Sequence, residues 1–214
     1  NNRRIWFRLG GVLAAAAVCT GGAAVVSDRA QKAKNVQRAF LGAMETQMQI
    51  GCYPSETGSP ADLTERERTE LQTAYTSRVE QYYTEENPCR KRYIALNEDF
   101  LTACDSDVEY SESGGVADCR FDSVRLYADR MTAVVQAQTL VWDKRISGNP
   151  EQGFSVELPV NRDTITATMK KENGVWKLDS IDSQISLSAA VPADDEVCRE
   201  RYPTFETARQ AADR

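Results

Sequence analysis

The chain has 214 residues with 26 basic and 32 acidic side chains, a formal net charge of −6 and no histidine. An acidic balance gives no support to a nucleic-acid partner, since phosphate binding is driven by clustered Lys and Arg. The lack of histidine removes Ser-His-Asp, Cys-His and His-metal chemistry together, and the sequence holds no phosphate loop, dinucleotide fingerprint or nucleophile elbow.

The first predicted element is Asn1–Val26, a basic cap followed by an apolar helix. Leu9–Val26 is 18 residues without a charge, close to the lower limit for crossing a hydrocarbon core. Arg3, Arg4 and Arg8 precede the run and Trp6 suits the interfacial belt, which places the N-terminus in the cytoplasm and the rest outside. Arg29, Lys32 and Lys34 follow closely, so charge bias leaves the orientation open and the cysteines must contribute to it. A cleaved signal peptide is the competing reading of the same residues. Gly11, Ala15 and Gly22 give the run small residues that allow close approach to another membrane helix.

About 185 residues remain, enough for one ordinary domain with tails. Its acidity is expected to keep it off anionic headgroups. Residues 28–50 carry Val36, Phe40, Met44 and Met48 at spacing four, which predicts an amphipathic helix stopped by Gly51-Cys52-Tyr53-Pro54. Ser59-Pro60-Ala61-Asp62 reads as the start of a second helix, with Leu71, Tyr75, Val79 and Tyr82 on one side. Asn87-Pro88 starts a third, carrying Tyr93, Leu96, Phe100 and Leu101. Asp105–Gly115 reads as an acidic loop, after which the period changes to two. Phe121–Leu126, Met131–Trp142, Phe154–Val160, the alternation around Ile165, Ala167 and Met169, and Val175–Ile181 are the predicted strands. Tyr127–Arg130 and Glu172-Asn173-Gly174 are their hairpin turns, and Gly148-Asn149-Pro150 with Gly153 forms a loop.

Of the six cysteines, Cys19 lies in the apolar run and Cys52, Cys89, Cys104, Cys119 and Cys198 lie beyond it. None forms a CxxC pair, so no zinc site or other metal centre is expected. An oxidising compartment favours disulfides. Cys104 and Cys119 flank the acidic loop, and Cys52 and Cys89 each sit near a proline at a helix boundary, which makes Cys104–Cys119 and Cys52–Cys89 the preferred pairs. Cys198 can displace a member of either. Asp105, Asp107 and Glu109 alternate as in a calcium loop, but Tyr110 and Val116 stand where the turn Gly and the bidentate Glu belong.

Helices first and long strands afterwards make an α+β domain in which an antiparallel sheet curls around the helices. That order, with Lys170–Leu178 (KKENGVWKL) and Arg125–Val135 (RLYADRMTAVV), resembles the NTF2-like (cystatin-like cone) superfamily, whose final hairpin often ends in Gly-x-Trp-Lys-hydrophobic. The resemblance covers roughly residues 30–185. Its members with an N-terminal span and an outer domain include VirB8-like secretion-channel subunits, whose topology is similar. With the apolar run and the polar C-terminal stretch, this gives an expected membrane anchor at 1–27, an NTF2-like extracytoplasmic domain at 28–185 and a C-terminal arm at 186–214, laid on a neighbouring subunit or on its own domain. The expected function is a non-enzymatic, membrane-anchored accessory or assembly subunit of an integral membrane complex, without cofactor and held to the lipid bilayer by its first helix. The alternatives are a small-molecule binder or isomerase, with Tyr75, Tyr82, Tyr93 and Asp99 as candidate groups in the cone, and a secretion-channel subunit.

Overall fold

Helix α1 spans 28–47, and its spacing-four row becomes the centre of the core: Val36 and Phe40 are wholly buried and Met44 nearly so. Met48 falls in the closing turn and is half-buried. Gly51 ends that turn at φ +73°, where a Cβ would also meet Phe100 at 2.8 Å, a geometry glycine adopts without steric penalty. The computed structural model describes residues 28–52, 63–102, 108–189 and 201–212. The apolar run with Gly11, Ala15, Cys19 and Gly22, the expected cap at Ser59, and Cys104 and Cys198 lie outside them. Among the described residues no helix is long and apolar enough to cross a membrane.

Helix α2, Glu65–Tyr82, is capped by Thr64. The Thr64 hydroxyl accepts the Glu67 N–H at 3.3 Å and the Glu67 carboxylate accepts the Thr64 N–H at 2.8 Å, so two otherwise orphaned donors are satisfied reciprocally. The Thr64 hydroxyl, then the Thr64 N–H, hold the Glu67 carboxyl below its ordinary range. Thr64→Ala is expected to cost about 1 kcal/mol, read as a lower urea midpoint at unchanged slope. Helix α3, Pro88–Thr102, follows as Asn87-Pro88 predicts. The Asn87 side chain accepts the Cys89 N–H at 2.8 Å, and Pro88 occupies the first helical position, where no N–H is needed.

Strands β1 (Val108–Leu126), β2 (Thr132–Asn149), β3 (Gly153–Glu157), β4 (Val160–Glu172) and β5 (Val175–Ala189) form one antiparallel sheet. The order is β1-β2-β4-β5, with β3 paired to the far end of β2. The alternation read in β4 sets Ile165, Ala167 and Met169 inward, and Ala133, Val135 and Ala137 of β2 lie beside them against α1. The hairpin turns take left-handed backbone at Arg130 (φ 59°) and Asn173 (φ 50°), the latter as Asn-Gly requires.

Three strands are longer than their patterns indicate. β1 begins at Val108, so most of the expected acidic loop is strand, and β2 absorbs Gly148-Asn149. β5 runs past Ile181 to Ala189, across the expected boundary at 185. Its register with β4 slips at Asp179 and at Asp182, and each extra residue reverses which parity faces inward. Leu178 and Ile181 pack inward, whereas Ile185 and Leu187 emerge 63% and 64% exposed. The described end of the C-terminal arm, 201–212, packs on the domain: Tyr202 and Phe154 exchange backbone hydrogen bonds of 2.8 Å in both directions. Helix α4, Phe205–Ala212, sets Ala208 against Ile146, Phe154 and Val156 in a second, smaller core.

Candidate functional site

The concave face of the sheet is filled. Phe40 meets Phe121 edge-on at 5.8 Å and Tyr83 meets Tyr93 at 5.6 Å. Among the tyrosines that suggested catalysis, Tyr75 donates its hydroxyl to the Thr46 carbonyl at 3.2 Å, just as Tyr83 donates to Ala43 at 2.7 Å. Burial pushes both phenols well above their ordinary range, so they act as neutral donors that fasten α2 to α1. Tyr82 lies against Gly42, where a Cβ would stand 2.1 Å from its ring. Asp99 is exposed on α3 and is not brought to the tyrosines. Tyr93 is raised by burial first and then by Cys89.

Beyond this packing a cleft remains open, with a volume of about 480 Å³. The last turn of α1 supplies Gln47, Met48 and Ile50, α3 supplies Arg92, Tyr93, Leu96 and Phe100, and β2 supplies Asp143 and Arg145. Asp143 is 6% exposed and ion-paired to the Arg145 guanidinium. The α1 wall is set by Asn97, whose Oδ1 accepts the Gly51 N–H at 2.8 Å while its Nδ2 donates to Gln72 at 2.6 Å. Arg78 of α2 reaches the same turn, donating to the Thr46 hydroxyl at 3.2 Å and to Gln49. With Arg145 held by Asp143, Arg92 beside the apolar wall is the guanidinium placed to take a small anionic group. Sequence reasoning missed Asp143 and Arg145, although the charged triplet Asp143-Lys144-Arg145 inside an apolar strand was the available signal.

Farther along the concave face the lining turns polar. Thr139 and Asp163 face each other in register on β2 and β4; Gln184 donates to Asp163 Oδ2 at 3.1 Å, while Asp163 Oδ1 and the Thr139 hydroxyl have no hydrogen-bond partner among the described residues.

Among the described residues no group of His, Cys, Asp or Glu is placed to hold a metal ion. No disulfide joins the described cysteines Cys52, Cys89 and Cys119. The Cys52 thiol donates to the Met48 carbonyl at 3.7 Å, and Cys89 lies by Tyr93, so the expected Cys52–Cys89 bridge is not formed here. Burial, and after it Asp118, pushes the Cys119 thiol up to about 11. Its expected partner Cys104, like the helix-contact residues Gly11, Ala15 and Gly22, is outside the described residues.

The geometry is that of a mixed α+β domain with a curved antiparallel sheet. No family model matches the chain and no curated protein matches it. Among solved structures the chain is similar to the intermembrane space region of the chloroplast protein ARC6, at 13% identity and a TM-score of 0.40, over 73% of this chain and 97% of that one.

Proposed function

We propose that this chain is a non-enzymatic, membrane-anchored accessory or assembly subunit of a membrane protein complex, with an NTF2-like domain on the extracytoplasmic side making protein–protein contacts. The observation that carries the reading is the outer edge of β5. Near Leu178 that edge is covered by the segment joining α2 to α3: Thr84 donates to the Leu178 carbonyl at 2.9 Å and Asn87 to the same atom at 3.2 Å. From Ile181 onward no described strand pairs with it, and Ile185 and Leu187 stand exposed beside it. An uncovered edge bearing apolar side chains invites strand pairing, and monomeric proteins blunt such edges with charge, proline or cover. The fitting partner is an extended segment of another subunit, added as a further strand. The filled concave face and the hydrogen-bonded tyrosines support a scaffold rather than an isomerase.

The test is affinity purification of the full chain from solubilised membranes. Ile185→Lys with Leu187→Lys is expected to lose an outer partner at an unchanged melting temperature, since both side chains are exposed. Gly11→Leu, Ala15→Leu and Gly22→Leu together are expected to lose a membrane partner. Retention of every partner by both variants would overturn the reading. A second reading, a binder of a small anionic ligand, is favoured by Arg92 in the cleft. A ligand-dependent rise in melting temperature that Arg92→Ala abolishes would select it. A secretion-channel subunit is instead distinguished by a ring of identical copies.

A further inference from the structure

We infer that the β1–β2 hairpin is a second membrane contact, seated on the headgroups of anionic phospholipids beside the foot of α1. The inference rests on the anchored reading above and adds a surface to it. Asp28, where the described part of helix α1 begins, is only two residues beyond the end of the predicted span at Val26. Two residues reach at most about 7 Å, and the headgroup layer is about 5–8 Å deep on each side of the hydrocarbon. Whatever surrounds Asp28 and Arg29 therefore stands at headgroup depth.

What surrounds it is the hairpin. Asp28, Arg29 and Lys32 line a recess of about 310 Å³ together with Leu126, Tyr127 and Arg130. Tyr127 and Met131 are 49% and 48% exposed, and Arg29 and Arg130 are exposed with them. A half-exposed tyrosine and methionine at a rigid turn, ringed by arginine and lysine, match the polarity gradient of an interface. The two acidic groups here have local partners and keep their charge. Asp28 pairs with Lys32, and Asp129 accepts the Met131 and Thr132 N–H groups at 2.9 and 3.0 Å and the Thr132 hydroxyl at 2.8 Å. Those bonds hold the Asp129 carboxyl below its ordinary range and fix the turn. Around the recess Arg29, Lys32 and Arg130 outnumber Asp28 and Asp129, so the domain's overall acidity, expected to hold it off anionic lipid, is offset locally where the chain leaves the bilayer. The exposed pair Ile185 and Leu187 lies elsewhere: Ile185 aligns with Thr164 and Leu187 with Arg162, whereas Thr132 beside the hairpin aligns with Lys170. Six residues of strand separate the two ends, about 20 Å.

The experiment uses the full chain in nanodiscs of phosphatidylcholine with phosphatidylglycerol, and of phosphatidylcholine alone. A benzoylphenylalanine photocrosslinker is placed at Tyr127, at Met131 or at Leu187. Lipid adducts several-fold more abundant at Tyr127 and Met131 than at Leu187, rising with phosphatidylglycerol and falling in Arg29→Glu with Arg130→Glu, are expected. Equal adduct yields at Tyr127 and Leu187, in a chain that stays with the disc through a high-salt wash, would overturn the hairpin contact alone. A chain that washes off the disc would overturn the anchor and the contact with it.

Discussion

Replacing Phe40 with Ala is expected to destabilise the domain by about 3–5 kcal/mol, the range for deleting a fully buried aromatic ring. The ring is wholly buried, sits edge-on to Phe121 at 5.8 Å, and belongs to the cluster that joins α1 to the inward residues of β2 and β4. The neighbours are helix and sheet backbones cross-linked by hydrogen bonds, so they collapse poorly into the vacated space. Set against a typical net stability of about 5–15 kcal/mol, the loss is enough to populate the unfolded chain. Urea unfolding followed by tryptophan fluorescence measures it, with Phe100→Ala, 40% exposed at the cleft, as the mild control within about 1 kcal/mol. Equal effects of the two substitutions would mean that α1 does not seat in the concave face.

The sequence was most legible where one periodicity ran undisturbed. Val36, Phe40 and Met44 kept helical spacing over about two turns, and Ile165, Ala167 and Met169 alternated without interruption along β4; both rows are buried as read. Asn173-Gly174 was legible for a different reason, since its turn is a property of two residues and needs no tertiary contact. Legibility failed where tertiary contacts overrode the pattern. In β5 the extra residues at Asp179 and Asp182 reverse the inward parity twice, and each is held by side chains from elsewhere: Thr84 and Lys170 on Asp179, Thr168 on Asp182. In β1 the stretch Ser111–Gly115 has the composition of a loop, yet β2 pairs with it along its length. The cleft was missed because Asp143 and Arg145 interrupt an apolar strand, and periodicity does not distinguish a strand's end from a charged pair built into it.

The approach of α1 to β1 gives the second large effect. A Cβ built at Gly114 would stand 2.1 Å from the Met48 carbonyl oxygen and 3.3 Å from that of Trp142. All of the nearest atoms are backbone, so no side-chain rotation relieves the contact, and Gln49 already donates to the Gly114 carbonyl at 3.4 Å across the same gap. Gly114→Ala is expected to cost about 3 kcal/mol, the upper part of the range for overpacking. Gly115 is the control: its Cβ would meet the Trp142 indole nitrogen at an ordinary 3.5 Å, and a strand alanine in place of glycine is worth about 0.5–1 kcal/mol in the stabilising direction. The two variants are therefore expected to move the urea midpoint in opposite directions. Only Gly114→Ala should also reshape the cleft, because Gly114 lies between Met48 and its cross-strand partner Asp143, both of which line it. Trp142 is half-buried beside this contact and its emission reports the shift. Coincident midpoints for the two substitutions would show that the last turn of α1 does not rest on Gly114, and the cleft wall described above would then have no support from β1.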